Sequence, residues 1–167
     1  MLINNLIKIL KVQYQLYQQL YQLSEEKQQA IIDNRVEDLL EILETEQQEM
    51  EKIEQLEEKR IETLEEFAQE NSLVAEELSF TKLVDFLDCA ETKAQLKEIR
   101  KQLLKQLAEL QNLNDQNAGL VKQALELNNH TLQLLTDSDL TKGGTYQKPG
   151  QDKAKNKQSR NIIDHQA

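Results

Sequence analysis

Residues that interrupt helices are scarce in this chain of 167 residues. It contains one proline and four glycines, and that proline and three of the glycines lie beyond residue 140. Tryptophan is absent and aromatic residues make up 4% of the sequence, so few of the side chains that favour strands are present. Because proline and glycine are the residues least compatible with a helix interior, the first 140 residues can form long helices. The composition predicts an all-α protein.

Cysteine is rare, and long apolar runs are missing. Cys89 is the single cysteine and cannot form a disulfide within the chain, and beside Ala90 we expect it to be a small buried residue. No apolar run reaches 18 residues, and the start MLINNLIKIL lacks the charged, apolar and small-residue layout of a signal peptide. We therefore expect a cytoplasmic protein without direct membrane insertion.

No group of residues predicts catalysis. His130 and His165 lack a neighbouring cysteine or second histidine that could share a metal, and no glycine-rich loop that could hold phosphate is present. The many carboxylates fall on helix faces where nothing desolvates them for acid–base work. We expect a protein that is not an enzyme and that has no catalytic residue, no metal and no cofactor.

Acidic residues outnumber basic ones, and the excess is unevenly spread. The net charge is −10, but residues 141–167 carry six Lys or Arg against two Asp, so residues 1–140 carry a balance of −14. A body this acidic repels nucleic acid and anionic lipid, and we expect neither as a partner. Glu37 to Glu77 hold sixteen acidic and three basic residues. Such a run is typical of a solvated helix face, and the alternative is an acidic surface that a basic partner recognises.

Near the start of the chain, apolar residues recur at alternating steps of four and three, as in a heptad seam. The seam positions are Leu2, Leu6, Ile9, Gln13, Leu16, Leu20 and Leu23. They predict a first helix from about residue 2 to residue 32. Asn34 followed by Glu37 has the form of a capping box, which predicts that a second helix begins there. Between residues 71 and 89 we expect a short helix that caps the end of the resulting hairpin.

A third long helix is predicted from about residue 91 to residue 135, and it carries asparagines among its leucines. The heptad register places Asn114, Asn117 and Asn128 on the same face as the leucines, so we expect them in the packed seam. A buried asparagine costs stability unless its amide finds partners, and its best-attested use in coiled coils is to fix register. The alternative is a face that stays partly open and binds another protein through its amides and leucines.

Together these elements predict an elongated antiparallel helical hairpin or coiled-coil bundle with a disordered C-terminal tail. Residues 1–90 would form the hairpin with its capping helix, residues 91–136 the long C-terminal helix, and residues 137–167 a basic tail too polar to build a core. Heptads alone do not decide between a hairpin within one chain and helices shared between chains, so a homo-oligomer stays open.

Three stretches of the sequence carry a resemblance to a known family. They are ILETEQQEMEKIEQLEEKR, LNDQNAGLVKQALELNNHTLQLL and TYQKPG. The second stretch is the most telling, because its asparagines and leucines and the downstream tyrosine and glycine occur in order at similar spacings. Over most of residues 1–150 the chain resembles the flagellar export chaperones of the FlgN family.

The resemblance implies a small, cytoplasmic, non-enzymatic helical chaperone. Such a protein binds the unassembled hook-associated proteins FlgK and FlgL, prevents their aggregation and brings them to the gate protein FlhA of the flagellar type III export apparatus. The resemblance also implies that the C-terminal third engages the helical end of the client, and that Tyr146 contributes to handover at FlhA. The client-binding candidates carried onto this chain are Asn114, Asn117, Leu120, Val121, Leu125, Asn128, Leu132 and Leu135.

Two other functions fit parts of the sequence. A structural coiled-coil protein would use its seam asparagines only to set register, and its C-terminal helix would be stably packed in the free protein. A protein that binds nucleic acid or a membrane surface would need the basic stretch Lys148–Arg160 to overcome the acidic body. Salt-sensitive binding would distinguish the last of these from the others.

Overall fold

Four helices account for nearly all of the residues that the structure describes. A computed structural model describes the backbone of residues 2–75 and 78–141, and the side chains as far as Thr136. The helices in these ranges are α1 (Leu2–Ile32), α2 (Val36–Glu70), α3 (Phe80–Phe86) and α4 (Ala90–Thr141), and these ranges contain no strand. The prediction of an all-α fold of long helices is confirmed. The tail that the sequence predicts to be disordered lies, from residue 142 onward, outside the described residues.

The first two helices form an antiparallel hairpin, as the contacts between them show. Near the middle of α1, the Gln13 side chain donates a hydrogen bond to Glu57 at 3.2 Å. Further along α1, Lys27 reaches Glu46, which lies nearer the start of α2. Residues later in α1 therefore contact residues earlier in α2, so the two helices run in opposite directions. The buried face of α1 follows the predicted seam, with Leu6, Ile9, Gln13, Leu16 and Leu20 all buried.

Both helices of the hairpin end in a turn that a residue with positive φ closes. Asn34 has φ of 53°, and the backbone N–H of Arg35 reaches back to the carbonyl of Ala30 at 2.9 Å. Ser72 has φ of 54° and occupies the equivalent position after α2. This is the Schellman pattern, in which the left-handed residue lets two N–H groups bond free carbonyls of the last turn.

The predicted capping box at the start of α2 is wrong. The N-cap residue is Arg35, and its side chain makes no capping hydrogen bond. Asn34 ends α1 instead, because its short polar side chain tolerates the left-handed conformation that the turn requires. Asparagine is favoured at both kinds of helix end, so its presence alone does not tell an N-cap from a C-terminal turn.

The long helix α4 runs parallel to α1 within the unit formed by residues 1–127. Leu96, near the start of α4, belongs to the same buried cluster as Leu6, near the start of α1. Ser24, near the end of α1, bonds to Asn114 and Asn117, which lie 90 and 93 residues later. The chain divides into two compact units between Leu127 and Asn128, and the second unit contains the last turns of α4.

The short helix α3 closes one end of the core. Leu83 and Val84 of α3 pack in the buried cluster with residues from α1, α2 and α4. Ser79 caps α3 by accepting the backbone N–H of Lys82. The guanidinium of Arg100 on α4 lies 4.4 Å from the centre of the Phe80 ring, which adds a cation–π contact between α3 and α4.

Two sequence predictions concern Cys89 and membrane insertion. Cys89 is exposed in the connection just before α4, so the prediction that it is a buried core residue is wrong. Its apolar neighbours in sequence do not bury it, because the chain leaves the core after Leu87 and returns to it only within α4. None of the helices in the described ranges combines the length and the apolar character needed to cross a membrane.

Candidate binding surfaces

The side chains of α4 change from buried to exposed at Leu120. Before this point a regular stripe is buried, consisting of Leu96, Ile99, Leu103, Gln106, Leu110, Leu113 and Asn117. From Val121 to Thr136 every side chain is exposed. The helix therefore contributes its first part to the core and presents its second part to solvent.

The lengths of the two parallel helices explain where this change falls. α1 has 31 residues and α4 has 52. Because Ser24 lies level with Asn114 and Asn117, the end of α1 at Ile32 lies level with residues just past Val121. Beyond that level α1 has no residues left to cover α4, although the leucine pattern of α4 continues.

Six large apolar side chains lie in the exposed part of α4, and we call them the leucine segment. They are Val121, Leu125, Leu127, Leu132, Leu134 and Leu135. Their exposed fractions run from 39% for Val121 to 66% for Leu127. Single exposed apolar residues are common on protein surfaces, but a concentration of them marks sites where other proteins bind. The sequence candidates Val121, Leu125, Leu132 and Leu135 all belong to this segment.

The candidate asparagines are placed in two different environments. Asn117 is 3% exposed, and its Nδ2 donates a hydrogen bond to the Ser24 carbonyl at 2.8 Å. Asn114 is exposed, so the prediction that it is buried in the packed seam is wrong, although its Oδ1 accepts a hydrogen bond from the Ser24 hydroxyl at 3.0 Å. Asn128 is exposed, so the prediction that it lies in the packed seam is wrong, because the burial of α4 ends at Leu120.

Asn117 has the geometry that fixes register, since one amide hydrogen bond ties α4 to a single residue of α1. Its other amide atom, Oδ1, is buried and has no hydrogen-bond partner among the described residues. The bond from Nδ2 sets the orientation of the amide, so Oδ1 cannot take the place of Nδ2 without losing that bond. The result is a buried acceptor left available beside the α1–α4 contact.

A polar network crosses the seam around Ser24. The Ser24 hydroxyl also lies 3.3 Å from Oε1 of Glu46, and Lys27 donates to both oxygens of that carboxylate at 2.7 and 2.8 Å. Glu46 falls on the apolar stripe of α2, and these bonds satisfy it there. Ser24 and Lys27 were not among the predicted seam residues, although Ser24 follows Leu20 by four positions and so continues the stripe of α1.

A second polar group interrupts the seam nearer α3. Arg60 donates to Glu57 within α2 at 2.8 Å, and this bond is the main reason that the pKa of Glu57 is lowered from its ordinary value. The same bond raises the pKa of Arg60. Burial raises the pKa of the Tyr17 phenol, and Glu57 raises it further. Tyr14, Tyr17 and Tyr21 are each half-buried beside the seam.

An open groove lies between α2 and α4 with α1 as its floor, and we call it the Asn117 groove. Its volume is about 650 Å³. Apolar side chains dominate the lining, with Leu39, Leu43, Met50 and Ile53 on the α2 side. The lining residues Leu110, Asn114, Asn117, Ala118 and Val121 lie on the α4 side.

Two subjects of the sequence predictions, Tyr146 and metal binding, are not part of these surfaces. Tyr146, the candidate contact to the export gate, lies outside the described residues. Across residues 2–75 and 78–141, no group of three His, Cys, Asp or Glu residues is arranged to hold a metal ion. The leucine segment and the Asn117 groove offer apolar contact, amide hydrogen bonds and carboxylates, which are the means of recognising another protein chain.

These features define a helical protein whose longest helix carries exposed apolar side chains from Val121 to Leu135. The family model described as FlgN protein matches residues 1–154 of the chain. The chain belongs to the FlgN family, which confirms the resemblance. This is a family of flagellar export chaperones and not of enzymes, and it implies binding of flagellar hook-associated proteins. No curated protein and no solved structure gives a match to the chain.

Proposed function

We propose that this chain is a cytoplasmic chaperone that binds the C-terminal helical ends of unassembled FlgK and FlgL. It shields those ends from aggregation and delivers the client to FlhA at the type III export gate. Membership of the FlgN family supports the general role. The single observation that carries the binding surface is the run of exposed apolar side chains after Leu120.

The leucine segment can supply part of the free energy that such binding needs. Fully burying a leucine side chain gives about 1.5–3 kcal/mol, so covering one that is roughly 60% exposed gives about 1–2 kcal/mol. At 3.6 residues per turn, Val121, Leu125, Leu132 and Leu135 share one face of α4, and one amphipathic client helix that covers them would gain about 4–7 kcal/mol. This gain opposes the loss of translational freedom on association, and the apolar surface that the client buries on its own side adds to it.

The eight candidates divide by their surroundings into two roles. Val121, Leu125, Asn128, Leu132 and Leu135 are exposed and would contact the client directly, with Leu120 at the edge of the buried part. Asn114 and Asn117 would act by fixing α4 to Ser24, which sets where the exposed part begins. Tyr146 remains our proposed contact to FlhA.

Calorimetric titration with synthetic peptides from the C-terminal ends of FlgK and FlgL tests this function. Leu125→Asp and Leu132→Asp should each weaken binding at least tenfold, because each places a charge where the client helix must pack. Gln123→Asp and Gln133→Asp are matched controls that add the same charge to exposed polar positions of α4.

The control variants should bind within about threefold of the natural chain, and circular dichroism should show that all four variants stay helical. Binding that survives both leucine substitutions would remove the leucine segment from the client site. The absence of heat with either peptide, from a folded chain, would contradict FlgK and FlgL as clients.

A further inference from the structure

The Asn117 groove has dimensions that match a short helix. Its α2 wall runs from Leu39 to Ile53 and its α4 wall from Leu110 to Val121. At 1.5 Å per residue these walls extend about 21 and 17 Å, which is the length of three to four helical turns. A helix laid over α1 between the two walls would complete a four-helix arrangement, in which apolar side chains from all four helices share one core.

The lining shows what kind of helix would pack there. Leu43 and Met50 are 45% and 54% exposed, so apolar surface on the α2 side is uncovered. Methionine adapts its shape to different partners, which suits a wall that receives another chain. The inner face of the occupant must therefore be apolar.

The charges along the groove favour a basic edge on the occupant. Two carboxylates, Glu46 and Glu54, line it against a single cation, Lys27. Lys27 is already held by Glu46, whereas Glu54 makes no ion pair with any residue that the structure describes. α2 as a whole carries fourteen acidic and three basic residues, so its field attracts positive charge.

The buried acceptor of Asn117 gives an independent indication of an occupant. Asn117 lines this groove and is 97% buried. Its Oδ1 has no hydrogen-bond partner among the described residues. Buried polar atoms in native proteins are nearly always hydrogen-bonded, so an unpaired one calls for a donor. A helix in the groove that carries a side-chain amide, hydroxyl or ammonium would bring such a donor next to Asn117.

We propose that the Asn117 groove is a second docking site, which takes one amphipathic helix of another protein with lysine or arginine along the edge that meets α2. It shares only Val121 with the leucine segment, and it goes beyond the client site proposed above. The apolar face of that helix would pack against the apolar walls of the groove. Its basic edge would meet the carboxylate of Glu54, and its hydrogen-bond donor would lie next to the unpaired Oδ1 of Asn117.

The probe for this site is a labelled 18-residue helical peptide with leucine along one face and lysine along one edge. The comparison peptide carries glutamate in place of each lysine. Titrations with the full chain, followed by fluorescence anisotropy, should show that the lysine peptide binds at least tenfold more tightly than the glutamate peptide. This difference should shrink as salt is raised. Equal affinity of the two peptides would overturn the proposal.

Variants locate the bound peptide. Leu43→Glu should weaken binding of the lysine peptide at least tenfold. Asn117→Leu, which removes the acceptor, should weaken this binding at least threefold. Leu40→Glu is the matched control, because Leu40 is 62% exposed on the same helix and does not line the groove. It should change the affinity less than twofold.

Two further results would overturn the proposal. Loss of peptide binding in Leu132→Asp, with Leu43→Glu unaffected, would place the peptide on the leucine segment. Sedimentation that shows a dimer which Leu43→Glu converts to a monomer would make a second copy of this chain the occupant. A monomer that binds the lysine peptide and retains this binding in Leu132→Asp supports the docking site.

Discussion

The amide of Asn117 allows the cost of an unpaired polar atom to be measured in this protein. An unsatisfied buried acceptor such as its Oδ1 costs about 1–3 kcal/mol. Leucine at this position removes that cost together with the hydrogen bond from Nδ2 to the Ser24 carbonyl, which contributes about 0.5–1.5 kcal/mol net. That carbonyl keeps a partner, because in α1 it also accepts the backbone N–H four residues later. We therefore expect Asn117→Leu to raise the free energy of unfolding by about 1 kcal/mol.

Urea unfolding followed by circular dichroism measures this change. The midpoint should rise with an unchanged slope, and Tm should rise by about 3 °C. Asn117→Ala is the comparison, since it removes the same acceptor and the same bond but also leaves empty space, and its free energy of unfolding should be about 1–2 kcal/mol lower than that of Asn117→Leu. If Asn117→Leu instead lowered it by more than about 1 kcal/mol, Oδ1 would have a partner in solution. The Oδ1 of Asn117 would then no longer support the proposed docking site in the groove.

Three further predictions concern other parts of the chain. Leu96→Ala should cost about 2–5 kcal/mol of unfolding free energy because Leu96 is fully buried, and Leu104→Ala, at 54% exposed, should cost less than about 1 kcal/mol in the same urea assay. Ser72→Gly should raise Tm, with a gain of about 0.5–1 kcal/mol, because glycine adopts φ of 54° without strain. Hydrogen bonds from Thr92 lower the pKa of the exposed Cys89 thiol from its ordinary value, so its alkylation rate should reach half-maximum at a lower pH than that of a free cysteine, and Thr92→Val should move the midpoint upward.

The sequence predicts the helices well because each of them must bury one stripe. Leucines at steps of three and four identify that stripe whatever the partner is, and Leu6, Leu16, Leu20, Leu103 and Leu110 are buried as this rule requires. Chain breakers are also so rare that few alternatives to long helices exist. Periodicity and composition together therefore determine the fold class.

The exposed leucine segment could not be separated from the buried stripe by the same reasoning. Leu125, Leu132 and Leu135 continue the apolar pattern of α4. A heptad pattern tells which face is apolar and does not tell where the covering helix ends. That point depends on the register between α1 and α4, which the hydrogen bonds of Asn117 and Ser24 set and no local rule gives.

The groove was missed because it depends on residues far apart in the chain. Met50 on α2 and Val121 on α4 each look like ordinary members of an amphipathic helix. Only the packing of three helices shows that they face one open space. Cys89 and Asn34 were misplaced for a simpler reason, since short-range preferences at helix ends are shared by several conformations.

The contacts of α1 imply an order in which the chain assembles. The bond between Lys27 and Glu46 joins residues that are only 19 positions apart in the sequence. The bond between Ser24 and Asn114 joins residues that are 90 positions apart. Closing the longer loop costs more chain entropy, so the α1–α2 hairpin should form first and α4 should dock last. By the same reasoning, α4 should be the first element to lift away while the hairpin stays folded. Under the proposed function, loosening of α4 would be one way for the chain to release a client while the hairpin stays folded.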